Sequence, residues 1–389
     1  MAEVVEVNVK DIEIANNAVK LAQEMVKRGY QAKQIMPKVK KVLKKINLPF
    51  SAKDAYVAAR IRLKARDKFG PLAEKLFFDE SGYRYSTPSI IADYRAKRLK
   101  DYYVADVSCG AGMQLAFFGF RCKRAEGVEI NKKRAFLAAM NIVSLNSNST
   151  VYWGDAFKFE TSAEVIFSDP ARPESEKFRS FSTLQPNPIN IMKKFEGKIF
   201  VFELPPQMPP ERVTIKGEKE YTSLNFKLNR LALYTGNLST CNVSAISLPS
   251  CERVTDLDER AKLEKGELKD LIAEVDRTVV HSNLLENLVG KLGLDAKIVY
   301  MDGRRTLLSV NELKNSAFLR YYRVLSIAKS FSECKEKLKE VGAKKVTLRF
   351  EIPPDKYWSV RKELEKELNG EKRVDLFKIN EKFVICSKL

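Results

Sequence analysis

The stretch Val104-Ala105-Asp106-Val107-Ser108-Cys109-Gly110-Ala111-Gly112 reads as a short buried strand running into a glycine-bearing turn, with an acid at the crossover. Glycines let the backbone approach a ligand closely, and the helix that follows offers unpaired N–H groups. Alone, the loop is also explained as a tight strand-to-helix turn. GxGxxG is absent, because Met113, Gln114 and Leu115 follow Gly112. A pyrophosphate cradle therefore fits less well than a site for a carboxypropyl chain and a ribose.

Three further stations follow in order. Glu129 lies in Gly127-Val128-Glu129-Ile130-Asn131, 23 residues beyond Asp106. A carboxylate at that strand tip can accept hydrogen bonds from two ribose hydroxyls. Asn131 neighbours it. Asp155 and Ala156 follow the next strand, where an aspartate can take an adenine amino group. Ser168-Asp169-Pro170-Ala171-Arg172 ends the fourth strand, on the edge where α/β folds place their reacting groups. Each feature alone is ordinary, but their order and spacing together spell an S-adenosylmethionine site. Thr87, in Tyr83-Arg84-Tyr85-Ser86-Thr87-Pro88, is added to the cofactor set with Asp106, Ser108, Gly110, Gly112, Glu129, Asn131, Asp155 and Ala156. The same segment reads equally as a helix start, with Thr87 as N-cap and Pro88 at the first helical position. Phe178 and Phe181 stay open between stacking on a base and packing in the core.

A chain of 389 residues points to two or three domains. Every apolar run is broken by a charge well short of the ~20 residues that span a bilayer. The N-terminal twenty residues lack the apolar core of a signal peptide, so a cytoplasmic protein is expected. Six scattered cysteines with no CxxC pair, and the lone His281, speak against a metal site and against a hydrolase triad. The net charge is +19, and residues 1–100 hold 22 basic against 11 acidic side chains. Residues 31–70 alone hold 12 against 2. A lysine-rich solvated surface would explain the total, but the lopsided placement favours a polyanion. Lys38, Lys40, Lys41, Lys44, Lys45, Arg62, Lys64, Arg66 and Lys68 are the expected RNA-binding residues.

Apolar spacing of three and four predicts helices over 11–48, broken at Gly29 and stopped at Pro49, then helices over 51–79 with Ser51 as an N-cap. From Thr87 onward short apolar strands alternate with helices: strands at 103–107, 124–130, 150–153, 165–168 and 198–204, and a clear helix over 132–145. Segments 221–228 and 230–234 read as an antiparallel hairpin. The charged stretch 251–270 reads as a connection, and strands and helices after it as a small α+β module. The expected domains are a basic helical one (1–85), an α/β Rossmann-like seven-stranded core (86–250), a charged linker (251–275) and an α+β domain (276–389).

The chain resembles class I methyltransferases of archaeal type that carry a THUMP-like C-terminal domain. The resemblance rests on Lys68-Phe69-Gly70 through Phe77-Phe78 and Gly82-Tyr83, Tyr94-Arg95-Ala96-Lys97-Arg98, the 106–112 loop and Asp169-Pro170-Ala171-Arg172. Glu274-Val275-Asp276-Arg277 and Phe318 to Leu325 extend it, and Tyr85-Ser86-Thr87-Pro88 is similar to trimethylguanosine synthases. It implies a seven-stranded sheet, S-adenosylmethionine as cofactor and structured RNA, chiefly tRNA, as partner. Nucleic-acid amino methyltransferases of this kind carry (Asp/Asn)-Pro-Pro-aromatic at the fourth strand, with the target amine held by the first residue. Here Asp169 and Pro170 are kept while Ala171 and Arg172 replace the second proline and the stacking aromatic. Arg172 is left to stack on a base, clamp a phosphate or pair with an acid. Asp169, Pro170 and Arg172 are the expected catalytic residues, and guanine N7 or N2 the expected acceptor. An rRNA or protein methyltransferase, and a non-catalytic RNA-binding factor retaining the fold, stand as alternatives.

Overall fold

The computed structural model describes residues 2–171 and 183–389. Arg172, Phe178 and Phe181 lie outside the described residues. The protein divides into two compact units. The first is Met1–Met208 with Lys216–Glu218 and Leu231–Thr240; the second is Pro209–Ile215, Lys219–Arg230 and Cys241–Leu389.

In chain order the first part runs β1 (Glu3–Val4), α1 (Val9–Lys27), α2 (Ala32–Leu43), α3 (Ala52–Lys64), α4 (Arg66–Phe69), α5 (Glu80–Tyr85), α6 (Ser89–Arg98), β2 (Tyr103–Asp106), α7 (Met113–Arg121), β3 (Arg124–Glu129) and α8 (Lys132–Leu145). It continues β4 (Ser149–Trp153), β5 (Val165–Ser168), α9 (Pro188–Lys194), β6 (Ile199–Leu204), β7 (Glu218–Leu224), β8 (Leu228–Tyr234), β9 (Val243–Leu248) and β10 (Glu252–Thr255). The caps are local. Ser51 accepts from the Asp54 N–H while Asp54 reaches back to the Ser51 N–H, a capping box that starts α3. The expected cap at Thr87 is corrected: α6 starts at Ser89, Pro88 holds the cap position with an extended ψ of 142°, and no side chain caps it.

The hydrogen-bonded strand order is β1-β4-β3-β2-β5-β6-β8-β7-β9-β10, ten strands where seven were expected. The seven are present as β4-β3-β2-β5-β6-β8-β7. The short strand β1 adds to one edge by antiparallel pairing of Glu3 with Trp153. At the other edge β9 and β10 follow, both missed in the sequence because Ser and Thr interrupt their apolar pattern. The strands β4, β3, β2, β5 and β6 are mutually parallel, and β8 runs antiparallel to β6. Parallel neighbours end on one edge, which is why four distant sequence stations converge.

The expected separate helical domain, 1–85, is also corrected. Ile12, Val19, Ile35, Val39 and Phe50 share one buried cluster with Phe77 and with Leu137 and Met140 of α8. The apolar faces of α1 to α3 need a cover, and α8 provides it, so these helices belong to the same compact unit as α8 and strands β1 to β6.

The second unit carries a further seven-stranded sheet. Besides most of β7, part of β8, and β9 and β10, that unit contains β11 (Leu271–Val275), α10 (Arg277–His281), α11 (Leu285–Leu292), β12 (Ala296–Met301), β13 (Thr306–Val310), β14 (Leu319–Ala328), α12 (Phe331–Glu340), β15 (Ala343–Leu348), α13 (Tyr357–Glu365), β16 (Lys372–Ile379) and β17 (Lys382–Lys388). The order is β12-β13-β11-β14-β17-β16-β15, with only β15 and β16 parallel. The segment expected as a linker, 251–275, is strand at both ends. β10 pairs with β9, and β11 sits between β13 and β14, Leu271 facing Val310 on one side and Arg323 on the other. Among the described residues no helix is long and apolar enough to cross a membrane.

Candidate functional site

The site is assembled at the carboxyl ends of β2, β3, β4 and β5, which lie side by side. Asp106, the last residue of β2, is 1% exposed, and its Oδ1 accepts the Ser108 N–H at 3.1 Å. Gly110 and Gly112 both take positive φ, 56° and 77°. At Gly112 a Cβ would also press on Ala138 at 3.0 Å, so both backbone geometry and packing against α8 require glycine. The Cys109 N–H donates to the Val128 carbonyl at 3.2 Å, tying the loop to β3.

Glu129 is the second fixed point. It is buried, with Oε2 accepting the Gly110 N–H at 3.0 Å and Oε1 the Asn131 N–H at 2.8 Å. One carboxylate thus holds both the glycine loop and the start of α8, while each oxygen keeps a lone pair for another donor. Asn131 is used as a helix cap, its Oδ1 accepting the Arg134 N–H at 3.1 Å. Asp155 likewise caps the short turn at 156–158 by accepting the Phe157 N–H at 2.9 Å, and Ala156 is buried beneath it. The Asp169 N–H donates to Ser108 Oγ at 2.8 Å, and Ser108 Oγ lies 3.2 Å from Ser168 Oγ. Those two bonds join the first and fourth stations directly. Pro170 follows Asp169 and is buried; Thr87 is buried ahead of α6.

The charges on this edge are mostly negative. Burial pushes the Asp106 carboxyl well above its ordinary range; the Ser108 N–H works against that, and the nearby Asp169 and Glu129 add to it. Burial also pushes up the Cys109 thiol, which keeps it an inert wall of the loop. A ligand bearing positive charge would relieve the crowding of carboxylates.

Several contributors were missed in the sequence. Asn141 of α8 is fully buried; its Nδ2 donates to the carbonyls of Phe77 at 2.9 Å and Ala111 at 2.8 Å, and its Oδ1 accepts the Phe77 N–H at 2.7 Å. It fixes the glycine loop from below. Arg95 of α6 is 1% exposed, donates to Gln114 Oε1 at 3.0 Å and pairs with Glu203 of β6 at 2.6 Å. Burial opposes its charge, but Glu203, Tyr234 and Asp169 together hold its proton more firmly than usual. Ile130, next to Glu129, and Phe157, two residues past Asp155, are exposed, 71% and 41%. An exposed apolar side chain within two residues of an acid at the end of a parallel strand is a poor place for core packing and a good one for an aromatic ligand's faces.

The expected RNA-binding set separates. Lys38, Lys40, Lys41, Lys44, Lys45, Lys64 and Arg66 are exposed. Arg62 is corrected: it is 2% exposed, its Nε donates to the Leu76 carbonyl at 2.8 Å, its Nη2 to Asn16 Oδ1 at 2.7 Å, and it lies over the Phe77 ring. Burial lowers its pKa to about 10, against the opposing field of Glu74. Lys68 is half-buried and donates to the carbonyls of Tyr83 and Arg84.

Strand order, the glycine loop and acids at successive strand tips define a class I methyltransferase fold. Across 97% of this chain, and 98% of the other, it matches the crystal structure of a methyltransferase candidate from Porphyromonas gingivalis W83, with a TM-score of 0.70 and 15% identity. Two curated Mycobacterium tuberculosis proteins, from strains CDC 1551 / Oshkosh and ATCC 25618 / H37Rv, are each 27% identical to it over 260 residues. That alignment covers 63% of this chain and 72% of each relative, and both relatives are named uncharacterized S-adenosylmethionine-dependent methyltransferases. No family model matches the chain.

Proposed function

We propose that this protein binds S-adenosylmethionine at the β2–β5 edge and transfers its methyl group to a base nitrogen of structured RNA, with a tRNA guanine as acceptor at N7 or N2. The carrying observation is the convergence of Asp106, Glu129, Asp155 and Asp169 around a loop with two positive-φ glycines. The names of the two Mycobacterium relatives support the cofactor. The exposed basic residues of α2 support an RNA partner, and the sequence resemblance of Glu274-Val275-Asp276-Arg277 and of residues 318–325 to methyltransferases with a THUMP-like domain implies the same.

The cofactor supplies an activated methyl on a sulfonium, so the protein's task is largely in-line positioning. Asp106 faces the cationic methionine end, and Glu129 accepts from ribose hydroxyls. Asp155 takes the adenine amino group between Ile130 and Phe157. Asp169, oriented by Ser108, and the Pro170 carbonyl hold the acceptor. Guanine N7 presents a free lone pair and needs no base. At N2, Asp169 would hold the amine whose proton must leave.

Three measurements test this reading. Calorimetry should show S-adenosylmethionine binding that Glu129→Ala abolishes. With labelled methyl donor and total tRNA, Asp169→Ala should abolish transfer while RNA affinity stays within about twofold, as expected when a group acts at the reacting atoms. Nucleoside mass spectrometry of tRNA from a deletion strain should then identify the missing base. Failure to bind the cofactor sinks the enzyme reading; methyl transfer to protein or rRNA but not tRNA sinks the acceptor.

A further inference from the structure

Beside the cofactor loop lies a cleft of about 590 Å³ lined by Lys64, Lys68, Glu80, Ser81, Tyr83, Arg84 and Tyr85. Its two walls are the ends of α3 and α4 on one side and α5 on the other. The lining holds three cations and one carboxylate, Glu80, which sits 3.7 Å from Lys64; a second carboxylate, Asp67, is near enough to act on Tyr83.

The α5 wall is built rather than incidental. Tyr83 packs edge-on against Phe69 at 6.2 Å and tilted against Phe78 at 6.3 Å. Lys64 and Lys68 each place an ammonium 5.1 Å from its ring centre. Lys68 also donates to the Tyr83 and Arg84 carbonyls at 2.6 and 3.3 Å, which orders the turn that presents the next two residues. There Arg84 lies over the Tyr85 ring at 5.3 Å, and Tyr85 is 51% exposed.

The same short helix touches the cofactor loop from behind. A Cβ at Gly82 would stand 3.4 Å from the Ala111 Cβ. Arg134 of α8 donates to Ser81 Oγ at 2.9 Å, and its Nε is 3.8 Å from Asp79. The helix that lines the cleft is thus the one that packs on the glycine loop.

We infer that this cleft seats a single-stranded nucleotide flanking the methylated base, with its phosphate at Lys64 and Arg84 and its base on Tyr85. The inference rests on the RNA acceptor proposed above. An acidic peptide would use the cations but has no need of an exposed cation-backed ring. A nucleotide needs both, because phosphates seek Lys and Arg while every base has a π-face to stack.

The test uses the full-length protein and a fluorescein-labelled mixed-sequence oligoribonucleotide of about ten nucleotides, a length within the range of single-strand binding sites. Anisotropy is read across a salt series, alongside total tRNA and a poly-glutamate competitor. Tyr85→Ala should weaken oligonucleotide binding about tenfold, the loss expected of one stacked base, and Tyr85→Phe should restore it. Lys64→Ala should reduce the log–log salt slope by about 0.7, one phosphate's worth on a single strand. S-adenosylmethionine binding by calorimetry should be unchanged in all three variants, and melting curves confirm that each is folded. If RNA binds and neither Tyr85→Ala nor Lys64→Ala alters it, the cleft assignment is wrong while the RNA reading stands. If neither the oligonucleotide nor tRNA binds, both fall together. Competition by poly-glutamate that Tyr85→Ala leaves untouched would overturn the nucleotide in favour of an acidic peptide.

Discussion

At the residue scale the site turns on carboxylates held in place by backbone N–H groups. The positions of Glu129 and Asp155 at successive strand ends were legible from local pattern, while the backbone N–H groups that donate to each appear only in the fold. Arg95 and Asn141 were not legible, since nothing local distinguishes a buried polar side chain in a helix from a surface one. Asp106 gives a pH prediction. Its folded pKa is raised, so its contribution to stability is complete below the unfolded carboxylate value of about 4 and is lost as pH rises through the folded value. A cationic ligand favours the ionised form, so cofactor affinity should rise with pH across that same window, with proton release. Calorimetry in buffers of different ionisation enthalpy measures the release, and Asp106→Asn should remove it. Proton uptake on binding would contradict the assignment.

At the scale of elements, the clearest reading was α8, whose bounds at Lys132 and Leu145 follow from a local cap at Asn131 and an uninterrupted apolar spacing. β5, Val165–Ser168, was equally plain as a short apolar run. β12, β13 and β16 are not legible in the sequence, because apolar runs as short as Ala296–Met301 and Thr306–Val310 do not by themselves tell a strand from a buried helix, and β16 mixes Lys, Arg and Asp with its apolar residues. The α8 helix does more than cover the sheet. Through Asn141 it clamps two loops with three buried hydrogen bonds. Asn141→Leu leaves those backbone groups unpartnered and should cost about 2–4 kcal/mol by denaturant unfolding. It should also weaken cofactor binding, because Ala111 belongs to the glycine loop. A variant as stable as the wild type, with normal binding, would show the clamp to be dispensable.

At the scale of the whole molecule, charge and burial must be separated. The lysines of 38–45 are exposed, whereas Arg62, equally basic in the sequence, is interior. Charge reversal at Lys40, Lys41, Lys44 and Lys45 should therefore flatten the salt dependence of tRNA binding, by about 0.7–0.9 in log–log slope for each phosphate no longer neutralised, and leave the melting temperature nearly unchanged. Arg62→Met should do the opposite. It strands the Leu76 carbonyl and Asn16, costs about 2–4 kcal/mol and leaves the salt slope alone. Filter binding and thermal melts distinguish the two, and the prediction fails if Arg62→Met flattens the slope.

The sequence by itself determined the four-station order, the glycine turn and the alternation of strand and helix, because caps, periodicity and turn chemistry act over a few residues. Only the tertiary structure decided that α1 to α3 share a core with α8, that the supposed linker supplies β10 and β11, and that Arg62 points inward. It also decided that Ser108 reaches Asp169 across 61 residues of chain. Those outcomes depend on which apolar face finds which cover and which strand finds which edge, and neither choice is made locally.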